Sequence, residues 1–336
     1  MIYECEAEEA EKWIKENRLR RVLIQAPPGL REEMLKLAER VSRLAEVFLH
    51  GGSCWGACDV AFSEAETVGA DGIIHLGHAR FLEREPVPTL YLECLARDPR
   101  PLRSVLNEAV EGLRGYRRVG VGFTVQWRGF ADLILEELKK AGIEPYIGRP
   151  VPPLRYPGQV LGCAYTTLLG LSSRVEAFLV IGSVFHGLGL ALQTPKKVYA
   201  ADPETGKTRD LEGDVDRILR SRYAYIEEFK SSRRVGVIVS VKPGQYRLGS
   251  GRRLAEILRK AGKQAEILIM NEVQADYLRD IPLEGFVNTA CPRLSIEDQF
   301  RLEKPLLLPR EALVAVGELE WEDVLRKPDY MRMEVA

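Results

Sequence analysis

Six cysteines and four histidines are the side chains of this 336-residue chain best suited to chemistry. Cys58 lies in the loop-like run GGSCWGACD (51–59), Cys163 closes GQVLGC (158–163), and Cys291 sits in NTACPR (288–293). Thiolates are ligands for zinc or for iron–sulfur clusters. No pair has the C-x-x-C spacing of a zinc ribbon. Cys54 and Cys58 form a C-x-x-x-C pair, but Ala61 occupies the place where a C-x-x-x-C-x-x-C cluster loop needs its third cysteine. Ligands, if present, must therefore be gathered from distant parts of the chain.

The elements that would gather them repeat three times. RVLIQAPPGL from Arg21, RVGVGFTVQ from Arg118 and RVGVIVSVKPGQ from Arg234 each read as a buried strand running into a loop. An amphipathic helix follows each, and the last two end in Lys-Ala-Gly at 140–142 and 260–262, where glycine can stop a helix. A second strand begins near Glu46, Glu144 and Ala265. A third begins near Asp71, Glu176 and Glu284, and a fourth covers 89–93, 197–201 and 305–308. Strand–helix alternation predicts parallel sheets with right-handed crossovers. The chain thus reads as α/β, with three similar domains over 1–107, 108–225 and 226–336, each a small, mainly parallel sheet with flanking helices. One large doubly wound sheet is the alternative.

Register then sorts the cysteines. With Asp71 laid on Glu176, Cys58 falls on Cys163, both thirteen residues upstream. With Glu284 laid on Asp71, Cys291 falls on His78, just past the third strand. All three positions belong to the C-terminal edge of a sheet, where open α/β folds bind ligands. Three thiols meeting at one centre suit zinc with one further ligand, or a [4Fe–4S] cluster with one iron open. Cys5, Cys54 and Cys94 lack this support: Cys5 falls in the leading helix, Cys54 is spare, and Cys94 reads as core.

Charge and hydropathy bound the function class. The net charge of −1 argues against a general nucleic-acid or membrane-surface binder. With 46% apolar and 29% charged residues, the chain reads as globular rather than disordered. No run of about 18 uncharged apolar residues predicts a transmembrane helix. The N-terminus lacks an apolar signal core, so a cytoplasmic, reducing compartment is expected, where thiols are more often ligands or catalysts than disulfides.

RVLIQAPPGL (21–30), GGSCWGACD (51–59), ADGIIHLGHARF (70–81), YPGQVLGC (156–163), IGSVFHGLG (181–189) and NTACPR (288–293) resemble, in this order, motifs of the archaeal diphthamide-synthesis enzymes, the 2-(3-amino-3-carboxypropyl)histidine synthases. The resemblance covers nearly the whole chain. It implies a homodimer with a [4Fe–4S] cluster held by Cys58, Cys163 and Cys291. It also implies a radical use of S-adenosylmethionine, whose 3-amino-3-carboxypropyl group moves to a histidine of translation elongation factor 2, with an electron donor as further partner. No catalytic residue beyond the cluster is expected. Gln25, Thr124, Gln126, Lys242 and Gln245, in loops after the first strands, and Arg293 and Asp298, beyond Cys291, are the candidate cofactor contacts. His78 and His186 are expected to face the cleft or the protein substrate, whereas His75, inside a strand, reads as a satisfied core histidine. A quinolinate-synthase-type Lewis-acid enzyme, a non-catalytic partner subunit and a zinc-stabilised binding module are the competing readings.

Overall fold

A computed structural model describes residues 3–335. One five-stranded and two four-stranded sheets dominate it, joined by a small two-stranded one. The three large sheets share one plan. In the first, Arg21–Gln25 lies between Glu46–Leu49 and Gly72–Leu76, and Thr89–Leu92 follows at the edge, all parallel. In the second, Arg118–Phe123 lies between Glu144–Tyr146 and Ala177–Ile181, with Lys197–Asp202 next. In the third, Arg234–Ser240 lies between Gln264–Met270 and Gly285–Asn288, with Leu306–Leu307 next. The second sheet alone adds an antiparallel strand, Lys207–Asp210. The expected triplication is therefore present, and no single continuous sheet forms among the described residues.

A shared acidic latch explains why the three registers agree. The carboxylate of Asp71 accepts the backbone N–H groups of Arg20 and Arg21, both at 2.9 Å. Glu176 does the same for Arg117 and Arg118, at 2.7 and 3.0 Å. Glu284 accepts from Arg233 and, at 3.2 Å, from Arg234. In each unit the residue before the third strand thus ties down the start of the first strand, whose backbone donors would otherwise be unpaired. The helices Ala131–Lys140 and Leu248–Lys260 end before Gly142 and Gly262, whose φ of 80° and 88° only glycine takes without strain.

The joints between units run through helices. Residue 107 lies inside helix Arg100–Leu113, whose Leu102, Val105, Leu106, Ala109 and Leu113 pack with Val119 and Val121 of the second sheet. Residue 225 lies inside helix Glu212–Ser231, and its Val215, Leu219, Ile226 and Phe229 enter a core shared by the second and third units. Arg222 of this helix is buried against Glu311, donating from Nε to Oε1 at 2.9 Å and from its terminal nitrogens to the Ser295 and Leu306 carbonyls. Between the first two units, Glu93 accepts from Arg128 Nε at 2.8 Å and from Tyr156 Oη at 2.6 Å.

One expectation is corrected. Cys5 and Cys94 form a disulfide. Tyr3–Glu4 pairs antiparallel with Leu95–Ala96, which sets the two cysteines side by side. Cys5 precedes helix Ala7–Glu16 instead of lying within it.

Candidate functional site

Cys58, Cys163 and Cys291 reach the same place from three units. Cys58 lies in the irregular 50–61 loop after strand Glu46–Leu49, braced by the Asp59 N–H to Gly56 carbonyl bond at 2.9 Å. Cys163 sits in the tight turn closed by reciprocal Leu161–Ala164 backbone bonds. Cys291 follows strand Gly285–Asn288, where the Asn288 side chain donates to its carbonyl at 2.7 Å. All three line two cavities, of about 550 and 530 Å³, on either side of the cysteine wall.

The third unit grips the Cys58 loop directly. The Gly244 N–H donates to the Cys58 carbonyl at 2.8 Å, and Gln245 Nε2 donates to Cys58 Sγ at 3.4 Å. A Cβ on residue 244 would stand 2.6 Å from Cys58 Cα, so only glycine permits this approach. Lys242, in the same loop, bonds Asp59 at 2.7 Å, Glu272 at 2.6 Å and Ser53 at 3.3 Å. The two carboxylates hold the Lys242 ammonium above its usual pKa although burial opposes this.

Burial pushes all three thiols up, Cys291 to about 12. The charges of Cys58 and Cys291 act on Cys163 in the same direction, so the thiols are close enough to repel one another as thiolates. Arg247 opposes this at all three. Its guanidinium lines the first cavity, held by the Ala290 carbonyl at 3.1 Å and Glu334 at 2.8 Å. Such a site stays protonated until a strong cationic centre displaces the protons. Three soft donors, one per unit, with open space on both sides, fit a cluster that keeps one iron free.

The second cavity is walled by Trp55, Phe81 and Phe185 and also receives His78, His186, Arg293 and Cys54. Arg293 is paired with Glu297 and lies 5.1 Å from the Phe185 ring centre. Burial drives both His78 and His186 down to about 4, so both are neutral near pH 7.

Of the sequence-predicted contacts, the structure brings Gln245, Arg293, His78 and His186 to the cysteine wall and its cavities. Gln25 is fully buried beneath the loop, donating to the Asp59 carbonyl at 2.7 Å. Gln126 turns toward the first unit and donates to the Gly77 carbonyl at 2.5 Å. Thr124 is buried beside Gly182. Asp298 opens the short helix Asp298–Arg301 and lines neither cavity. Lys242 is a brace between units and lines neither cavity beside the cysteine wall. Sequence reasoning missed Arg247, although it stands two residues beyond Gln245 in the same loop. It also missed Tyr165, whose buried hydroxyl has no hydrogen-bond partner and whose ring lines the first cavity. Cys54, set aside as spare, reaches the second cavity.

The diphthamide synthesis protein family model matches residues 26–325. The chain belongs to the diphthamide synthesis protein family. A Pyrococcus horikoshii relative, named 2-(3-amino-3-carboxypropyl)histidine synthase, is 38% identical across 98% of this chain and 96% of its own length. A Methanocaldococcus jannaschii protein of the same name is 23% identical across 87% and 83%. The crystal structure of P. horikoshii Dph2 with a 4Fe–4S cluster aligns with a TM-score of 0.87 at 38% identity, over 95% of this chain and 93% of that one. The sequence likeness and the structural alignment thus both extend over nearly the whole chain.

Proposed function

We propose that this protein is a 2-(3-amino-3-carboxypropyl)histidine synthase. It moves the 3-amino-3-carboxypropyl group of S-adenosylmethionine to the imidazole carbon of a histidine on translation elongation factor 2, the first step of diphthamide formation. The convergence of one thiol from each of three units on a wall between two cavities carries this reading. Cys58, Cys163 and Cys291 would hold a [4Fe–4S] cluster, which supplies the electron that splits the donor's sulfur–γ-carbon bond.

The chain's own residues position and shield. Gln245 and Gly244 hold Cys58 in place, and Arg247 favours the thiolate form of all three ligands. Trp55, Phe81 and Phe185 exclude water from the second cavity, and Arg293 at their rim receives the donor's carboxylate. His78 and His186, both neutral, face the incoming imidazole without repelling it as cations. Gln25, Thr124, Gln126 and Lys242 support the loops, and no side chain acts as a conventional acid–base catalyst. No described helix is long and apolar enough to cross a membrane. The working form is a cytoplasmic homodimer that receives its electron from a separate donor.

Anaerobically reduced protein given S-adenosylmethionine should release methylthioadenosine, and with elongation factor 2 present should modify one histidine. No methylthioadenosine would refute the radical reading. A colourless protein containing zinc but no iron or sulfide would refute the cluster. Replacing Cys58, Cys163 or Cys291 with Ala should each abolish iron retention, whereas replacing Cys5 or Cys94 should not.

A further inference from the structure

Beside the three-cysteine wall lies a second group of soft donors. Cys54, His75 and His78 each place one ligand atom within 4.8 Å of the others'. Cys54 and His75 are buried, and Cys54 and His78 border the second cavity.

The hydrogen bonds around His75 settle which of its nitrogens carries the proton. Gln25 Nε2 donates to the Asp59 carbonyl at 2.7 Å, and Gln25 Oε1 accepts the Ala61 N–H at 3.1 Å. Both partners demand the same orientation of the amide. Oε1 therefore also faces His75 Nδ1, at 3.0 Å, and as a carbonyl oxygen it can only accept. Nδ1 carries the proton, and Nε2 presents its lone pair to His78 Nδ1, 2.9 Å away. A histidine whose far N–H is anchored on a carbonyl is the usual preparation for ligating a metal through the other nitrogen. Burial also keeps both rings neutral.

We propose that Cys54, His75 and His78 bind a borderline divalent metal ion of the zinc type, at a site distinct from Cys58, Cys163 and Cys291. One sulfur and two imidazole nitrogens are a zinc or cobalt donor set, and the fourth position is open to the cavity, as in catalytic zinc sites. The ion takes the place of the proton now shared by the two rings. That proton moves to the other nitrogen of His78, the Cys54 thiol loses its own, and one proton is released per ion bound. With bonds of ~2.3 Å to sulfur and ~2.0–2.1 Å to nitrogen, tetrahedral donors stand roughly 3.3–3.6 Å apart. The imidazole pair is already near that separation, and the Cys54 sulfur stands within 4.8 Å of a ring nitrogen of each histidine. The fourth position is available to water or to the imidazole of an incoming histidine.

The test uses anaerobic holoprotein with its full iron content. It is given one equivalent of zinc chloride, desalted, and measured for metals and by X-ray absorption at the zinc edge, which iron does not obscure. The expected result is one zinc per chain with iron unchanged, one sulfur neighbour at ~2.3 Å and two nitrogens at ~2.0–2.1 Å. Cys54→Ala should remove the sulfur neighbour and keep iron and sulfide. Gln25→Leu, which removes the anchor of His75 together with the bonds to the Asp59 carbonyl and the Ala61 N–H, should weaken zinc binding by roughly 10–100-fold. Failure to retain zinc, a sulfur shell that survives Cys54→Ala, or loss of iron in that variant would each overturn the proposal. The wild-type spectrum decides the case if either variant fails to fold.

Discussion

Lys242 shows how one side chain can serve a site without lining it. Its side chain is 6% exposed and that of Asp59 9%, so the pair sits largely out of water. Lys242→Met would leave the Asp59 carboxylate buried without its cation, at a cost of about 3–5 kcal/mol, read as a lower denaturation midpoint. The Lys242→Met/Asp59→Asn double variant should recover part of that loss, because the stranded charge is gone. Iron should also leave Lys242→Met faster, since Asp59 adjoins Cys58. The residue types and positions of the three cysteines were legible because each stands at the same sheet edge in its repeat. Lys242 and Gln25 stand at that edge too, but whether a loop side chain points to the cavity or to a neighbouring loop depends on contacts distant in the sequence, within a unit or between units. Gln25 meets Asp59, and Lys242 meets Asp59 and Glu272, far apart in the chain.

At the scale of elements, the acidic latch makes a prediction about pH. The paired backbone N–H groups of Arg118 and Arg117 hold Glu176 below the usual carboxylate range, and those of Arg233 and Arg234 do the same for Glu284. A folded pKa below the unfolded one gives stability that is full above ~4.3 and is lost as pH falls through the lower folded value. Glu176→Gln and Glu284→Gln should therefore lose less stability than wild type on acidification from pH ~5 to ~3. Urea titrations at the two pH values check this, and equal acid sensitivity in all three proteins would contradict it. Strands and helices were largely readable, because apolar runs such as RVGVIVS and stops such as Gly262 are local signals. The joints were not readable. Helix Arg100–Leu113 has an apolar face, and only packing against Val119 and Val121 assigns it to the second unit.

For the whole molecule, the Cys5–Cys94 bond closes 89 residues of sequence around the first unit. Cys94→Ser should lower stability by about 2–4 kcal/mol. A thiol reductant should lower the wild-type midpoint but leave that of Cys94→Ser unchanged. A wild-type midpoint indifferent to reductant would show that the bond contributes nothing. Composition led away from this pairing, because six cysteines in 336 residues form no framework. The pairing depends on the two-residue contact of Tyr3–Glu4 with Leu95–Ala96, too short to leave a periodic trace. By itself, the sequence determined what repeats: three βαβαβ units, an acidic residue at the start of each third strand, and one thiol per unit at the ligand-binding edge. Tertiary structure alone decided how the units face one another. Only then does the Gly244 loop meet Cys58, Arg247 come to act on three thiols, and Cys54 stand beside His75 and His78. The physical reason is that periodicity encodes which face of an element is apolar. The meeting of three edges is set by side chains hundreds of residues apart, and no local pattern records their contact.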